Sequence, residues 1–379
     1  MSAHVGHSST VREGRSIVSE EPRPTNVGPD KKRAMTRREA PATYADIQNA
    51  TGLSLATISK YYNGGNVLKA NREAIKSASE ALGFRLNRNA SDLRRGASRT
   101  VGVLLPSLLS SFHLSIVAGA EPYLRAQGFS VLLASDQGGP MGRSNDALDL
   151  LLGRQVDGII TMPSLADVPA LTSVIESGIP VVSVDLWQPG LNADFVCLDN
   201  VGAGFMAGQH LVDHGHKSVG IIVGHPGVST MDERYSGFMD SMESATGADA
   251  APDVHVLRGE ITYEWGREAM AKILSMRPRP TAVFAANYDL ALGAVIAINE
   301  SGLRLGRDIS LVGFDGVEIS RVTRPPLTIV TQPVSEIARE ASRIMHSRMT
   351  GEKVILSEPT MTRLAGSLQI GASVASLRE

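Results

Sequence analysis

The sequence predicts a small all-α head followed by an α/β core of two doubly wound parallel-sheet subdomains, and three observations predict it. Two short helical patterns meet at Gly52. Basic charge gathers at the same end of the chain: residues 31–99 hold 14 Lys and Arg against 5 Asp and Glu, while the 379-residue chain carries a net charge of −2. From Thr100 onward, short β-branched runs alternate with helical stretches, the pattern of repeated βαβ units.

Ile47, Ala50, Leu53, Ile58 and Tyr62 have the spacing of one apolar face shared by two crossing helices, and Ile75, Ala78 and Leu82 continue it on a third. Thr43 and Ser54 stand where hydroxyls satisfy the free amides of a helix N-terminus. The second helix, 55–63, turns Ile58 and Tyr62 inward and leaves Thr57, Ser59 and Lys60 outward. This is a helix-turn-helix, whose second helix lies in the major groove. A basic run alone is usually just a solvated face. Joined to this pattern it points to a polyanion held by counterion release, with an acidic remainder that limits non-specific wrapping. The Arg-rich segment 87–96 is too short to persist as a helix by itself.

Residues 1–40 mix Ser, Pro, Gly and charge without apolar periodicity and read as a disordered basic and polar tail. No run approaches eighteen apolar residues and no signal-sequence pattern opens the chain, so a cytoplasmic protein with no membrane partner is expected. Cys197, the only cysteine, excludes an intrachain disulfide and a thiolate cluster and reads as a small buried residue.

In the core, strands are expected at 100–105, 129–133, 158–161 and 180–184, then at 219–223, 281–284 and 309–312. Helices at 115–127, 147–154, 203–214 and 290–301 separate them. Two sets of strands mean two subdomains, and a ligand is expected in the cleft beyond their carboxyl ends. Two motifs imitate other chemistry. Gly202, Gly204 and Gly208 mimic a dinucleotide fingerprint, but the acidic residue it needs is not at the end of a following strand. His210, His214 and His216 have metal-like spacing, but Gly215 turns the third away from the others. No nucleophile elbow, H-E-x-x-H or phosphate loop is present, so no enzyme, cofactor or metal is expected.

The blocks TYADIQNATGLSLATISKYYNG and ALGFRLNRNASDLRRG resemble the lactose-repressor/galactose-repressor family of bacterial transcription regulators. So do VDGII, Asp185, GFMAGQHLVDHGHKSVGIIVG, DERYSGF, FAANYDLALGA, ISLVGFDG and PPLTIVTQP in the core. The resemblance runs from about Thr43 to the C-terminus. It implies a head over 41–86, a hinge helix and linker over 87–99, and a periplasmic-binding-protein-like core over 100–379. The core chain would cross between subdomains near Leu198, Thr331 and Glu358, giving subdomain 1 as 100–198 with 332–358 and subdomain 2 as 199–331 with 359–379.

The same resemblance implies that Leu55, Ala56 and Lys60 face base edges, and that Tyr44, Ser54, Thr57, Ser59 and Asn63 contact phosphates or cap helices. Lys60 can donate to guanine, whereas Leu55 and Ala56 offer only apolar contact. In the hinge, Leu93 beside Ala90 would wedge into the minor groove, with Arg88, Arg94 and Arg95 on flanking phosphates, so that sequence is read through bending. Effector contacts would come from Asp185, Arg234, Asn287, Asp315 and Gln332, with Phe112 or Trp187 offering a face to a sugar ring. A guanidinium among carboxylates and amides suits vicinal hydroxyls, which both donate and accept. The implied protein is a homodimeric repressor on a pseudo-palindromic operator, controlled by a small molecule, with a carbohydrate favoured. The polar tail 373–379 has no heptads to make a tetramer. A sugar-binding transport protein would lack use for the basic head, and an NAD-dependent enzyme would need the glycine motif to be real.

Four positions depart from the family pattern. Leu68 replaces a capping serine, which leaves Asn71 as the best local cap and a later start for the third helix. Tyr61-Tyr62 replaces a small aliphatic pair, and Tyr288 stands where an aspartate usually follows the asparagine. For Leu93→Ala the expected result is operator affinity weakened roughly tenfold or more, a loss of at least about 1.4 kcal/mol, with affinity for random DNA nearly intact. Titration on both DNAs measures this, and equal losses would refute the wedge.

Overall fold

The computed structural model describes residues 42–84, 97–135, 146–244, 252–351 and 358–378. The expected tail 1–40 and the hinge residues Arg88, Ala90, Leu93, Arg94 and Arg95 lie outside the described residues. The chain divides into two compact units, Met1–Asn87 and Arg88–Glu379.

The first unit is three helices: α1 (Tyr44–Thr51), α2 (Leu55–Tyr62) and α3 (Lys69–Ala81). The Asp46 carboxylate accepts from both the backbone N and the Oγ1 of Thr43, each at 2.7 Å, which fixes the start of α1 and holds the carboxyl below its usual pKa. Gly52 ends α1 in the left-handed region at φ 70°, where a side chain would be strained. Two residues later the Ser54 hydroxyl accepts from Thr57 N at 3.2 Å and starts α2.

Ile47, Ile58 and Ile75 are completely buried at the centre of the three helices. Tyr44 stacks on Tyr62 with centroids 5.5 Å apart, and Phe84 lies 5.5 and 5.2 Å from those two rings. The Tyr61-Tyr62 pair thus brings ring packing where small side chains were usual. Helix α3 does not wait for Asn71. It begins at Lys69 behind an exposed Leu68 with no side-chain cap, and Arg72 N donates to Leu68 O at 3.0 Å to close the first turn.

The second unit builds the same sheet twice. Its first half runs β1 (Thr100–Leu105), α4 (Ser111–Ala126), β2 (Ser130–Ser135), α5 (Asp146–Gly153), β3 (Gly158–Thr161), α6 (Val168–Glu176), β4 (Val181–Val184) and β5 (Asp194–Leu198). The second half runs α7 (Asn200–Asp213), β6 (Ser218–Gly224), α8 (Ser229–Ser244), β7 (Asp253–Gly259), α9 (Tyr263–Ser275) and β8 (Ala282–Ala285). It continues through α10 (Tyr288–Ser301), β9 (Ser310–Phe314), α11 (Val317–Val322) and β10 (Thr328–Thr331). The chain then returns to the first half as α12 (Val334–Thr350) and finishes with β11 (Met361–Leu364) and β12 (Ser367–Gln369).

The strand orders are β2-β1-β3-β4-β5-β11 and β7-β6-β8-β9-β10-β12. All pairings are parallel except β10 with β12. Central strands buried on both faces explain the continuous Val, Ile and Leu runs in the sequence. Helix α4 starts at Ser111 rather than at 115 because the Ser110 hydroxyl accepts from His113 N and caps it.

The third crossing is not near Glu358. Residues 361–364 form β11 beside β5, in the register Met361↔Phe195 to Leu364↔Leu198, and the chain changes sheets only at Ala365 and Gly366. The segment entering β11 is pinned to the first sheet by a buried ion pair. Arg348 Nε and Nη2 donate to Asp194 Oδ2 and Oδ1 at 2.7 and 2.8 Å. Thr360 N and Oγ1 also donate to Asp194 Oδ1, at 2.9 and 2.8 Å. Burial works against the Asp194 charge, yet these donors hold its carboxyl below the ordinary value.

Arg348→Ala would leave Asp194 buried without its counter-charge, held by Thr360 alone. Loss of about 3–5 kcal/mol is expected in urea unfolding at pH 7. The folded-state pKa of Asp194 is depressed, so its contribution is complete above the unfolded carboxylate pKa and fades as pH falls through and below that value. The difference between wild type and variant should therefore shrink in acid.

Candidate functional site

The two halves end equivalent strands with the same residue. Asp185 follows β4 and Asp315 follows β9, both in the left-handed region, at φ 67° and 56°. Each donates its backbone N–H to the neighbouring strand, Asp185 to Val196 O at 3.0 Å and Asp315 to Val330 O at 2.7 Å. A non-glycine residue there is strained by about 1 kcal/mol or more. Both carboxylates are half-buried and feel the charge of Arg234, and Asp315 also feels that of Asp185.

Arg234, on α8, is only 3% exposed. Its Nε donates to Asn200 Oδ1 and its Nη1 to Ala286 O, both at 2.8 Å, and the guanidinium carbon sits 3.7 Å above the Phe314 ring centroid. Burial lowers the Arg234 pKa, opposed by the charges of Asp185, Asp315 and Glu233. Burial likewise raises both aspartates, opposed by Arg234, with help from His113 at Asp185 and from Gln332 at Asp315. Gln332 Nε2 donates to Asp315 Oδ2 at 2.6 Å, while Gln332 Oε1 is buried with no donor. Asn287 caps α10, its Oδ1 accepting from Asp289 N at 2.8 Å, and its amide NH2 makes no hydrogen bond among the described residues.

Asp185, Arg234, Asp315 and Gln332 therefore form one cluster, and Asn287 follows the carbonyl that holds Arg234. Phe112 packs against the core of the first half, and Trp187 is exposed with its backbone N donating to Ser229 Oγ at 3.2 Å. Tyr288 packs into the core of the second half, its ring where a Cβ on Gly316 would stand.

Sequence reasoning missed Asn200, Phe314, His113 and the pair Glu233–Arg363. That pair is bidentate at 2.7 and 2.8 Å and joins α8 to β11. The repeated strand endings VVSVD and LVGFD were the available signal for Phe314, because the residue before the second aspartate must be the last of its strand. Nothing local marks Asn200 or His113.

The imitating motifs have structural uses. Gly204 and Gly208 let α7 lie against α8, since a Cβ would meet Arg234 O at the first and Ser241 Oγ at the second. His210 and His214 rings stand 4.3 Å apart, but His216 Nδ1 instead contacts Thr281 Oγ1. Among the described residues no group of three His, Cys, Asp or Glu could hold a metal. The buried Cys197 thiol is pushed up to about 12 by burial, which makes it a poor nucleophile.

In the head, Leu55, Ala56 and Lys60 are exposed on one surface of α2. The Lys60 stem lies over Gly65, where any Cβ would displace it. The Ser54 and Thr57 hydroxyls are 2.9 Å apart, and Asn63 Nδ2 donates to Ser59 Oγ at 3.1 Å. Tyr44 is half-buried against Tyr62.

A helix-turn-helix head followed by a two-subdomain core with a polar cleft is the build of a transcriptional regulator. Residues 209–374 match the periplasmic binding protein-like domain family. The chain is 32% identical over 338 residues to the HTH-type transcriptional repressor PurR of Haemophilus influenzae, covering 89% of this chain and 99% of the relative. It is 30% identical over 319 residues to the HTH-type transcriptional repressor CytR of Escherichia coli, covering 84% and 93%.

Two solved structures superpose over 88% of this chain and 99% of theirs. They are the Lac repressor dimer bound to operator and the anti-inducer ONPF, with TM-score 0.75 and 25% identity, and the transcriptional regulator CelR with cellobiose, with TM-score 0.63 and 30% identity. The chain belongs to the lactose-repressor/galactose-repressor (LacI) family of transcriptional regulators.

Gly204→Ala would force α7 away from the Arg234 backbone. Over-packing of this kind costs roughly 1–3 kcal/mol, to be read from chemical denaturation, and the Arg234–Asn200 bond should loosen with it.

Proposed function

We propose that the protein is a cytoplasmic, homodimeric repressor that binds a pseudo-palindromic operator and is controlled by a carbohydrate in the interdomain cleft. The observation that carries the reading is that Asp185 on one subdomain interacts electrostatically with Arg234 and Asp315 on the other, in a chain that also carries an exposed recognition-type helix. One ligand hydroxyl can accept from a guanidinium and donate to a carboxylate, so a polyol would bridge the subdomains.

Leu55, Ala56 and Lys60 would meet base edges, and Tyr44, Ser54, Thr57, Ser59 and Asn63 the backbone. Because two of the three reading side chains are apolar, much of the specificity would fall to Ala90 and Leu93 in the minor groove, with Arg88 and Arg94 beside them. Asp185, Arg234, Asn287, Asp315 and Gln332 would hold the effector, with Trp187 or Phe112 against its ring. The linker supplies the connection. Ser98 N donates to Asp157 Oδ1 at 2.8 Å and Arg99 O accepts from Ser130 N at 2.8 Å, so the chain leaving the core is fixed to the first subdomain. A change in subdomain orientation would then alter the spacing of two hinge segments in a dimer. Coupling of about 1–3 kcal/mol between effector and operator is the expected scale, and it is reciprocal.

The test is an operator gel shift with and without sugars. Asp315→Ala is expected to keep operator affinity within about threefold, under 1 kcal/mol, and to lose the effector response. A normal response would move the ligand elsewhere.

A further inference from the structure

Among the ion pairs between described residues, Glu233–Arg363 is the one that joins the two subdomains; the others close within one helix or one subdomain. Arg363 Nη1 and Nη2 donate to Glu233 Oε2 and Oε1 at 2.8 and 2.7 Å. The two side chains are only 34% and 26% exposed, so water and salt screen the pair less than a surface bridge.

Both ends of the bridge are anchored. Strand β11 enters through Thr360, which donates twice to Asp194, and leaves through Leu364 O, which accepts from Asp199 N at 2.7 Å. On the other side, α8 lies so close to α7 that a Cβ on Gly237 would meet Val201 O. Glu233 is one helical turn from Ser229, whose Oγ accepts from Trp187 N of the first subdomain at 3.2 Å. One face of α8 therefore bonds to the first subdomain at two places. Glu233 also precedes Arg234, so what fixes the first residue fixes the buried guanidinium of the second.

We propose that Glu233 and Arg363 form an electrostatic strap that holds the two subdomains in this orientation without ligand, and are positioning residues for the allosteric response. It rests on the reading that subdomain orientation governs operator affinity and needs no assumption about the effector. A ligand then shifts an equilibrium that the strap has already biased, and only by its difference in affinity for the two orientations.

The single cysteine reports on the strap. Cys197 is completely buried on β5, in register with Arg363, and its thiol feels the charges of Arg363, Glu233 and Asp185. Labelling it in the native, full-length protein with a small uncharged thiosulfonate requires the crossing to open. Removing a charge also acts on the thiol directly, because Arg363 favours the thiolate and Glu233 opposes it. By that direct effect alone, Arg363→Gln would label more slowly and Glu233→Gln faster. An opened strap makes both faster.

The expected result is labelling at least about threefold faster in both variants. Arg363→Lys, which keeps the charge and loses the fork, should be intermediate, and it carries the comparison if circular dichroism shows Arg363→Gln unfolded. The exchanged pair, Glu233→Arg with Arg363→Glu, should return toward the wild-type rate. Operator affinity, by gel shift on a sequence selected from a randomised pool, should change by at least about threefold in Arg363→Gln, with affinity for random DNA unchanged. Labelling no faster than wild type in the folded arginine variant would overturn the strap and leave the regulator reading untouched. An exchanged pair as fast as the single variants would do the same. Faster labelling with unchanged operator affinity would overturn the positioning role, and with it the reading that orientation governs the operator.

Discussion

The two backbone hydrogen bonds from Asp185 to Val196 and from Asp315 to Val330 set the terms for the rest of the core. In each half a strand is held one residue past its regular end, in a left-handed turn, by the strand beside it. The sheet therefore delivers a carboxylate at a fixed height, and the same sheet order in both halves delivers two. Arg234 becomes tolerable inside the protein only because of this placement and because Asn200, the Ala286 carbonyl and the Phe314 ring replace its lost water. Local backbone strain and a buried cation thus hold each other in place.

In the proposed mechanism this geometry would let a small ligand move large pieces. Helices α7 and α8 approach so closely through Gly204, Gly208 and Gly237 that neither can shift without the other. Arg234 and Glu233 are consecutive on α8. One faces the cleft cluster, and the other is tied to Arg363 on β11 of the opposite sheet. A force on the guanidinium is therefore transmitted to a crossing segment through one rigid element, without a chain of flexible contacts.

Much of this was legible in the sequence. Most of the buried parallel strands announced themselves as β-branched runs because both of their faces are covered, though β5 and β10, buried as well, did not, and the head did so because its isoleucines fall at helical spacing within an apolar face. The edge strands β7 and β12 carry a mixed, half-exposed pattern and gave no comparable signal. The third crossing was misplaced for the same reason. Residues 361–364 alternate exposed and half-buried, and only their register with 195–198 reveals which sheet they join. In the cleft, the charged residues could be named from motifs. Their neutral support Asn200 could not, since nothing local marks it, and for Phe314 the repeated strand ending gave the place on the strand but not the ring's contact with Arg234.

The return of the chain after β10 has a consequence for how the protein is made. Helix α12 supplies Ile337, Ala338, Ala341, Ile344 and Met345 to the apolar centre of the first subdomain, and β11 covers that sheet's open edge. During synthesis the strands up to β5 must therefore wait for about 150 further residues, on the order of ten seconds at ordinary elongation rates. The second subdomain has most of its strands by then. The part translated first is thus completed last, and the nascent chain carries an unfinished apolar sheet until α12 and β11 arrive.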